Sequence, residues 1–251
     1  MQLETRYDIE RKKWDAHARL GLGTNPVLEP GVNLASFAQG RATLEGIPQF
    51  LGDLRDRSIL EYGCGLGALT VLLAKSGARV IAFDLSEASI ESAKERARLN
   101  GVLDRTEFHV ASGEKLPFVD KSFDLVVGKA VLHHLDPVAG SRELARVLAP
   151  GGRAAFSEPL GTNPLLVFAR EYLPYPHKHE RGADRPLTAE DLREWRKPFS
   201  SARVEPRQLL SMVERVVRRP VSTLRAADAF LLPRFPALGG LCRYGILYFV
   251  R

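Results

Sequence analysis

Acidic residues stand beside a glycine-rich run and limit what that run can hold. Glu61-x-Gly63-x-Gly65-x-Gly67 follows the apolar Ser58-Ile59-Leu60 and leads into Ala68-Leu69. A loop built for phosphate exposes backbone N–H groups and has little use for a carboxylate at its mouth. A loop that holds a cation, or an amine and a ribose, does. About 23 residues beyond Glu61, the run Val80-Ile81-Ala82-Phe83 ends in Asp84, where an acid can accept hydrogen bonds from ribose hydroxyls. Gly63-x-Gly65-x-x-Ala68 with Asp84 also fits a dinucleotide fingerprint, so a nicotinamide-dependent oxidoreductase is the competing reading. Glu61 argues against it, because its charge would repel a pyrophosphate. Cys64, inside the loop, reads as a small packing residue.

These residues need a strand before the loop and a helix after it. Leu69, Leu72 and Leu73 recur at helical spacing, and Gly77 can end that helix. Strands are expected near 58–62, 78–83, 105–110, 124–128 and 152–158, with helices between them, one running from Ser86 to Asn100. Strands alternating with helices imply a parallel sheet covered on both faces. A helix over residues 1–20 carries Leu3, Tyr7, Trp14 and Ala18 on one face, residues 21–34 form a loop, and a second helix spans 35–47 until Pro48 breaks it. Four prolines interrupt residues 160–187, where Tyr172, Tyr175, His177 and His179 cluster. Insertions after a strand's carboxyl end fall where open α/β sheets bind ligands. Thr188 to Asp191 reads as a capped helix start. Beyond it come a sixth strand near 202–207, helical material over 209–232 and a last strand at 243–250. Phe230 to Pro236 reads first as core packing, with a second subunit or a membrane-borne substrate as alternatives.

Composition bounds the rest. A chain of 251 residues, 45% hydrophobic and 26% charged, is ordinary for one globular α/β domain. No apolar run reaches the roughly 18 residues of a membrane span, and Met1 to Arg6 lacks the apolar core of a secretory signal, so the cytoplasm is the expected compartment. Two cysteines make neither a disulfide framework nor a zinc set, and no metal is expected. The net charge of +6 is spread along the chain. Arg215, Arg218 and Arg219 read as a solvated helix face, so no nucleic-acid partner is expected.

The glycine run with Glu61 resembles the first motif of class I S-adenosylmethionine (SAM) methyltransferases. Glu114 to Val127, Val131-Leu132-His133-His134-Leu135-Asp136-Pro137 and Glu143 to Arg153 are similar to later segments of the same family, in order. The resemblance covers residues 56–160 and points to the branch that acts on quinones and natural products. It implies a Rossmann-like, seven-stranded, mostly parallel sheet with the last strand antiparallel. One methyltransferase domain follows: an N-terminal helical lid (1–55), a SAM-binding core (56–160), a substrate-recognition insertion (161–200) and C-terminal strands and helices (201–251).

By this resemblance Gly63, Cys64 and Gly65 border the methionine part of SAM, and Glu61 binds its amino group. Asp84 takes the ribose hydroxyls, and Leu85 packs on adenine. Ser112, Gly113 and Glu114 form the adenine turn, where Ser112 replaces the family's usual acid. Lys129 borders the methionine end. The product is S-adenosylhomocysteine. His133 and His134 lie near the expected methyl, where a histidine can take a proton; His134 is the expected base, with Glu158 orienting the ring. Trp14, Tyr172, Tyr175 and His177 are expected to line the site of a small, partly apolar acceptor, methylated on O or N, with carbon as an alternative. A SAM-binding protein without transfer activity is a third reading, and a homodimer is compatible with the sequence.

Overall fold

Alternate residues along each central strand face opposite layers of helix. In the computed structural model, which describes residues 3–21, 27–172, 185–217 and 219–251, seven strands form one sheet. They are β1 (Ser58–Tyr62), β2 (Arg79–Asp84), β3 (Thr106–Val110), β4 (Phe123–Lys129), β5 (Leu148–Pro159), β6 (Ser201–Arg207) and β7 (Tyr244–Val250). Their order is β3-β2-β1-β4-β5-β7-β6. β7 runs antiparallel to both its neighbours, and every other pairing is parallel. Ile59, Val80, Leu125 and Val127 face α4 (Ala68–Lys75) and α5 (Glu87–Leu99). Leu60, Tyr62, Val126 and Phe156 face the other layer, where α6 (Pro137–Val147) brings Leu144 and Val147 and α8 (Ala189–Arg196) brings Trp195. The period of two that sorts side chains to two faces thus builds two cores.

The N-terminal helices divide by position. α1 (Leu3–Gly21) lies at the carboxyl ends of the strands, through the polar contacts given below. The helix expected over 35–47 is instead α2 (Leu34–Ala38) and α3 (Ile47–Leu51). Gly40 and Gly46 between them take left-handed φ of 66° and 93°, which no continuing helix can contain. Pro48 starts α3 rather than ending a helix, because the N–H it lacks has no intrahelical partner there. Both helices pack on the sheet towards its amino ends: Leu34 N–H donates to Ser76 Oγ (3.0 Å) at the end of α4, and the Arg153 guanidinium donates to Phe50 O and Leu51 O at 2.7 Å each. α1 lies at the opposite edge.

After β5 the chain forms α7 (Pro164–Tyr172), and β6 leads into α9 (Glu214–Val217) and α10 (Ser222–Arg234). Pro159, Tyr244 and Arg207 align at one edge. Leu160 N–H donates to Arg243 O (2.9 Å), Arg243 N–H to Gln208 O (3.1 Å) and Asn163 Nδ2 to Leu241 O (2.6 Å), which binds the segments beyond the three strands together. Phe230 and Phe235 are each 54% exposed, so they do not pack in the core. α10 is fixed instead by the buried Asp228, which accepts from the N–H groups of Leu209, Leu210 and Ser211. No helix among the described residues is long and apolar enough to cross a membrane.

Candidate active site

The glycine loop joins β1 to α4, and Gly63, Gly65 and Gly67 all have left-handed φ. Their roles differ. A Cβ on Gly63 would lie 2.4 Å from Val131 Cγ2, and one on Gly67 would lie 2.8 Å from Ala93, so both glycines are demanded by packing. A Cβ on Gly65 would meet no atom of the described residues within 4 Å, so at this position packing does not demand a glycine. Gly65 N–H donates to Asp84 Oδ2 (2.8 Å), and Ser86 N–H to Asp84 Oδ1 (3.0 Å), so the acid at the tip of β2 holds the loop and caps the start of α5. Burial raises the Asp84 pKa, with the Asp15 charge adding to it.

Glu61 is buried at the end of β1 and accepts a short hydrogen bond from Thr70 Oγ1 in α4. Burial pushes its pKa up to about 8 against the pull of that bond, and the Asp84 charge adds to the rise. Among the described residues neither acid is ion-paired with Lys or Arg. A buried carboxyl and a half-buried one, both with raised pKa values and neither ion-paired with Lys or Arg, fit a ligand that brings its own positive charge. Cys64 is buried in the same loop, and burial holds its thiol well above the ordinary range, as suits a packing residue.

The turn expected at adenine is held from below. The Tyr62 hydroxyl donates to Gly113 O, and a Cβ on Gly113 would lie 2.6 Å from the Tyr62 ring. Ser112 Oγ accepts from Glu114 N–H (3.2 Å). Glu114 accepts from Tyr7 Oη at 2.5 Å and from Asp136 N–H at 2.7 Å. Leu85 is half-buried beside Asp84, and Lys129 is exposed at the end of β4.

β4 runs into a 3-10 turn over Leu132–His134. Glu158, fully buried near the end of β5, organises it. One carboxyl oxygen accepts from Val131 N–H (2.8 Å) and Leu132 N–H (3.0 Å), and the other lies 2.7 Å from His133 Nδ1. The residue that Glu158 orients is therefore His133. The His134 ring, its centroid 4.0 Å from that of His133, faces α1 instead. Trp14 meets it edge-on at 5.3 Å, and Glu10 Oε1 stands 3.9 Å from His134 Nδ1. α1 is held there also by Asp15, which accepts from Ser86 Oγ (2.6 Å). Tyr172 ends α7 with its ring exposed; Tyr175 and His177 lie outside the described residues.

Sequence reasoning did not single out Thr70, Asp15 or Glu10, and it gave Tyr62 and Tyr7 no partner. Glu10 falls between Tyr7 and Trp14 on one helical stripe, a signal that was present. The partners of Thr70 and Tyr62 depend on tertiary packing.

Residues 60–156 match the family model of a methyltransferase domain. Over 102 residues the chain is 39% identical to the methyltransferase GfsG of Streptomyces halstedii, covering 40% of this chain and 37% of that protein. Over 115 residues it is 42% identical to a demethylmenaquinone methyltransferase of Clavibacter sepedonicus, covering 45% of each. The chain thus spans less than half the length of either relative. Among solved structures, geranyl diphosphate C-methyltransferase from Streptomyces coelicolor A3(2) superposes with a TM-score of 0.64 at 17% identity, covering 98% of this chain and 97% of that one. The fold is shared along the whole length, and the closer sequence likeness is confined to the core.

Proposed function

We propose that this chain, whose residues 60–156 carry a class I methyltransferase domain, transfers a methyl group from SAM to a small, partly apolar acceptor in the cytoplasm. The observation that carries this reading is the loop between β1 and α4, flanked by the buried Glu61 and the half-buried Asp84, neither ion-paired with Lys or Arg among the described residues. When bound, SAM supplies an electrophilic methyl on a sulfonium sulfur. Glu61 would meet the amino group of its methionine part, Asp84 the ribose, and Leu85 with the Ser112–Glu114 turn the adenine. The relatives named for menaquinone and the solved C-methyltransferase support a small-molecule acceptor; O or N is favoured, and carbon is the alternative.

The protein's task is to seat the acceptor and exclude water. α1 does the second, since Trp14 and Glu10 roof the histidine turn. Glu158 fixes His133, and His133 backs the ring of His134. In this arrangement His134 takes the acceptor's proton and Glu158 with His133 positions it. Turnover that survives His134→Ala nearly intact would remove His134 as the base.

Calorimetric titration with S-adenosylhomocysteine, beside NADH and an Asp84→Ala control, tests the cofactor. Micromolar binding of the homocysteine product, lost in the variant and absent for NADH, is expected. Binding of NADH instead would return the loop to a nicotinamide enzyme.

A further inference from the structure

The face beyond β5, β6 and β7 has a composition that the methyl-transfer reading does not use. Its segments are residues 160–172, 208–217 and 236–243, joined at the carboxyl edge by the bonds of Leu160, Asn163 and Arg243, with α10 leading into the third. Large apolar side chains point outward here: Leu165 is 74% exposed, Phe168 57% and Val216 80%, with Phe230 and Phe235 at 54%. Scattered apolar residues on a surface are ordinary, but a group on adjoining segments marks an interaction site.

The charge around this group is one-sided. Residues 160–172 and 208–243 hold seven arginines, no lysine and three acids. Two of those acids are engaged inside the fold: Asp228 accepts from the 209–211 backbone, and Glu214 pairs with Arg225 at 2.6 Å, which takes that arginine out of the balance too; Arg218 lies outside the described residues. Arg215 and Arg219 are exposed. The Arg234 guanidinium lies 3.8 Å from the Phe230 ring centroid, presenting an apolar and a cationic group together. Arg243 is held below the ordinary arginine value mainly by burial, with Arg215 and Arg170 adding like charge, so the arginines share one field.

We propose that this face adsorbs to an anionic lipid bilayer, its phenylalanines and valine entering the headgroup boundary and its arginines engaging lipid phosphates. A second copy of the chain would set arginine against arginine, whereas an anionic membrane meets both the apolar and the cationic components. Guanidinium groups take phosphate oxygens in pairs, which suits a face rich in arginine and empty of lysine. Adsorption needs no spanning helix. The inference rests on the surface alone and does not depend on the identity of the cofactor.

The test is co-sedimentation of the full chain with vesicles of phosphatidylcholine alone and of phosphatidylcholine mixed with phosphatidylglycerol, at low and high salt. Two double variants, Arg215→Ala/Arg219→Ala and Phe230→Ser/Phe235→Ser, are compared, with unchanged thermal unfolding as the control for folding. Binding to the mixed vesicles alone, weakened by salt, is expected. Removing two arginines should weaken it about thirtyfold, and removing the two rings at least about tenfold. Absence of binding to mixed vesicles by the folded protein overturns the proposal. So does equal binding to neutral vesicles, or binding that neither variant reduces. A dimer in sedimentation velocity that the phenylalanine variant dissociates, without vesicle binding, would assign the face to a second copy instead.

Discussion

Glu61 carries a carboxyl that keeps its proton at neutral pH because burial raises its pKa to about 8. A cationic group brought beside it would drive the proton off, so binding of S-adenosylhomocysteine should release a proton. Affinity should rise with pH between about 6 and about 8, by up to roughly tenfold per unit, and level off above. Calorimetry in buffers of differing ionisation enthalpy reads the proton directly. The same group works against the ligand-free fold. Its folded pKa lies above the ordinary 4.5, so between 4.5 and about 8 the folded protein binds more proton than the unfolded chain and stability falls as pH rises. Glu61→Gln removes that dependence. It should raise the melting temperature at about pH 8, by roughly 2–4 °C for each kcal/mol relieved, while weakening product binding. Glu158 has the opposite character: Glu158→Ala would leave the Val131 and Leu132 N–H groups and His133 without their shared acceptor. That should cost about 3 kcal/mol or more and lower the melting temperature by roughly 6–12 °C. Glu61 was legible in the sequence because an acid beside a glycine loop is out of place in a phosphate site. The pairing of Glu158 with His133 rather than His134 was not, since it depends on which way a 3-10 turn rolls its two adjacent rings.

At the scale of the element, α1 is the proposed cover of the site. Its inner stripe joins Tyr7 to Glu114, Glu10 and Trp14 to His134, and Asp15 to Ser86. Apart from the buried Ala18, these contacts are polar or ring-edge, which is the arrangement of a cover that can lift. Tyr7→Phe with Asp15→Ala should loosen α1 without unfolding the sheet, read as faster amide exchange over residues 3–21 at an unchanged global melting temperature. If α1 excludes water, turnover should fall in step. The strands were legible in the sequence to within a few residues because apolar runs alternate with helical patterns, and three of them stop at Gly63, Asp84 and Pro159. The helix expected over 35–47 does not form as one, because Gly40 and Gly46 take left-handed φ and Pro48 lies in the first turn of α3. A proline marks a helix boundary without saying which side the helix lies on.

For the whole molecule, the sheet order puts loop, histidine turn and α1 at one edge, while α2 and α3 pack towards the other and their connection is reached by Arg225 of α10. The sequence indicated this polarity through the alternation of strand and helix. Exposure of Phe230 and Phe235 was hidden, because apolar residues look alike whether they face a core or a partner. β6 touches the sheet only through β7, which fills the gap between β5 and β6. Of the seven strands, β7 is the last to leave the ribosome. Until it arrives, β5 has a bare outer edge and β6 has nothing to join. The five parallel strands can assemble during synthesis, but the sheet acquires its final width in a single late event. Chains stalled before residue 244 would therefore expose an open strand edge beside their arginines, a species for chaperones rather than for substrate.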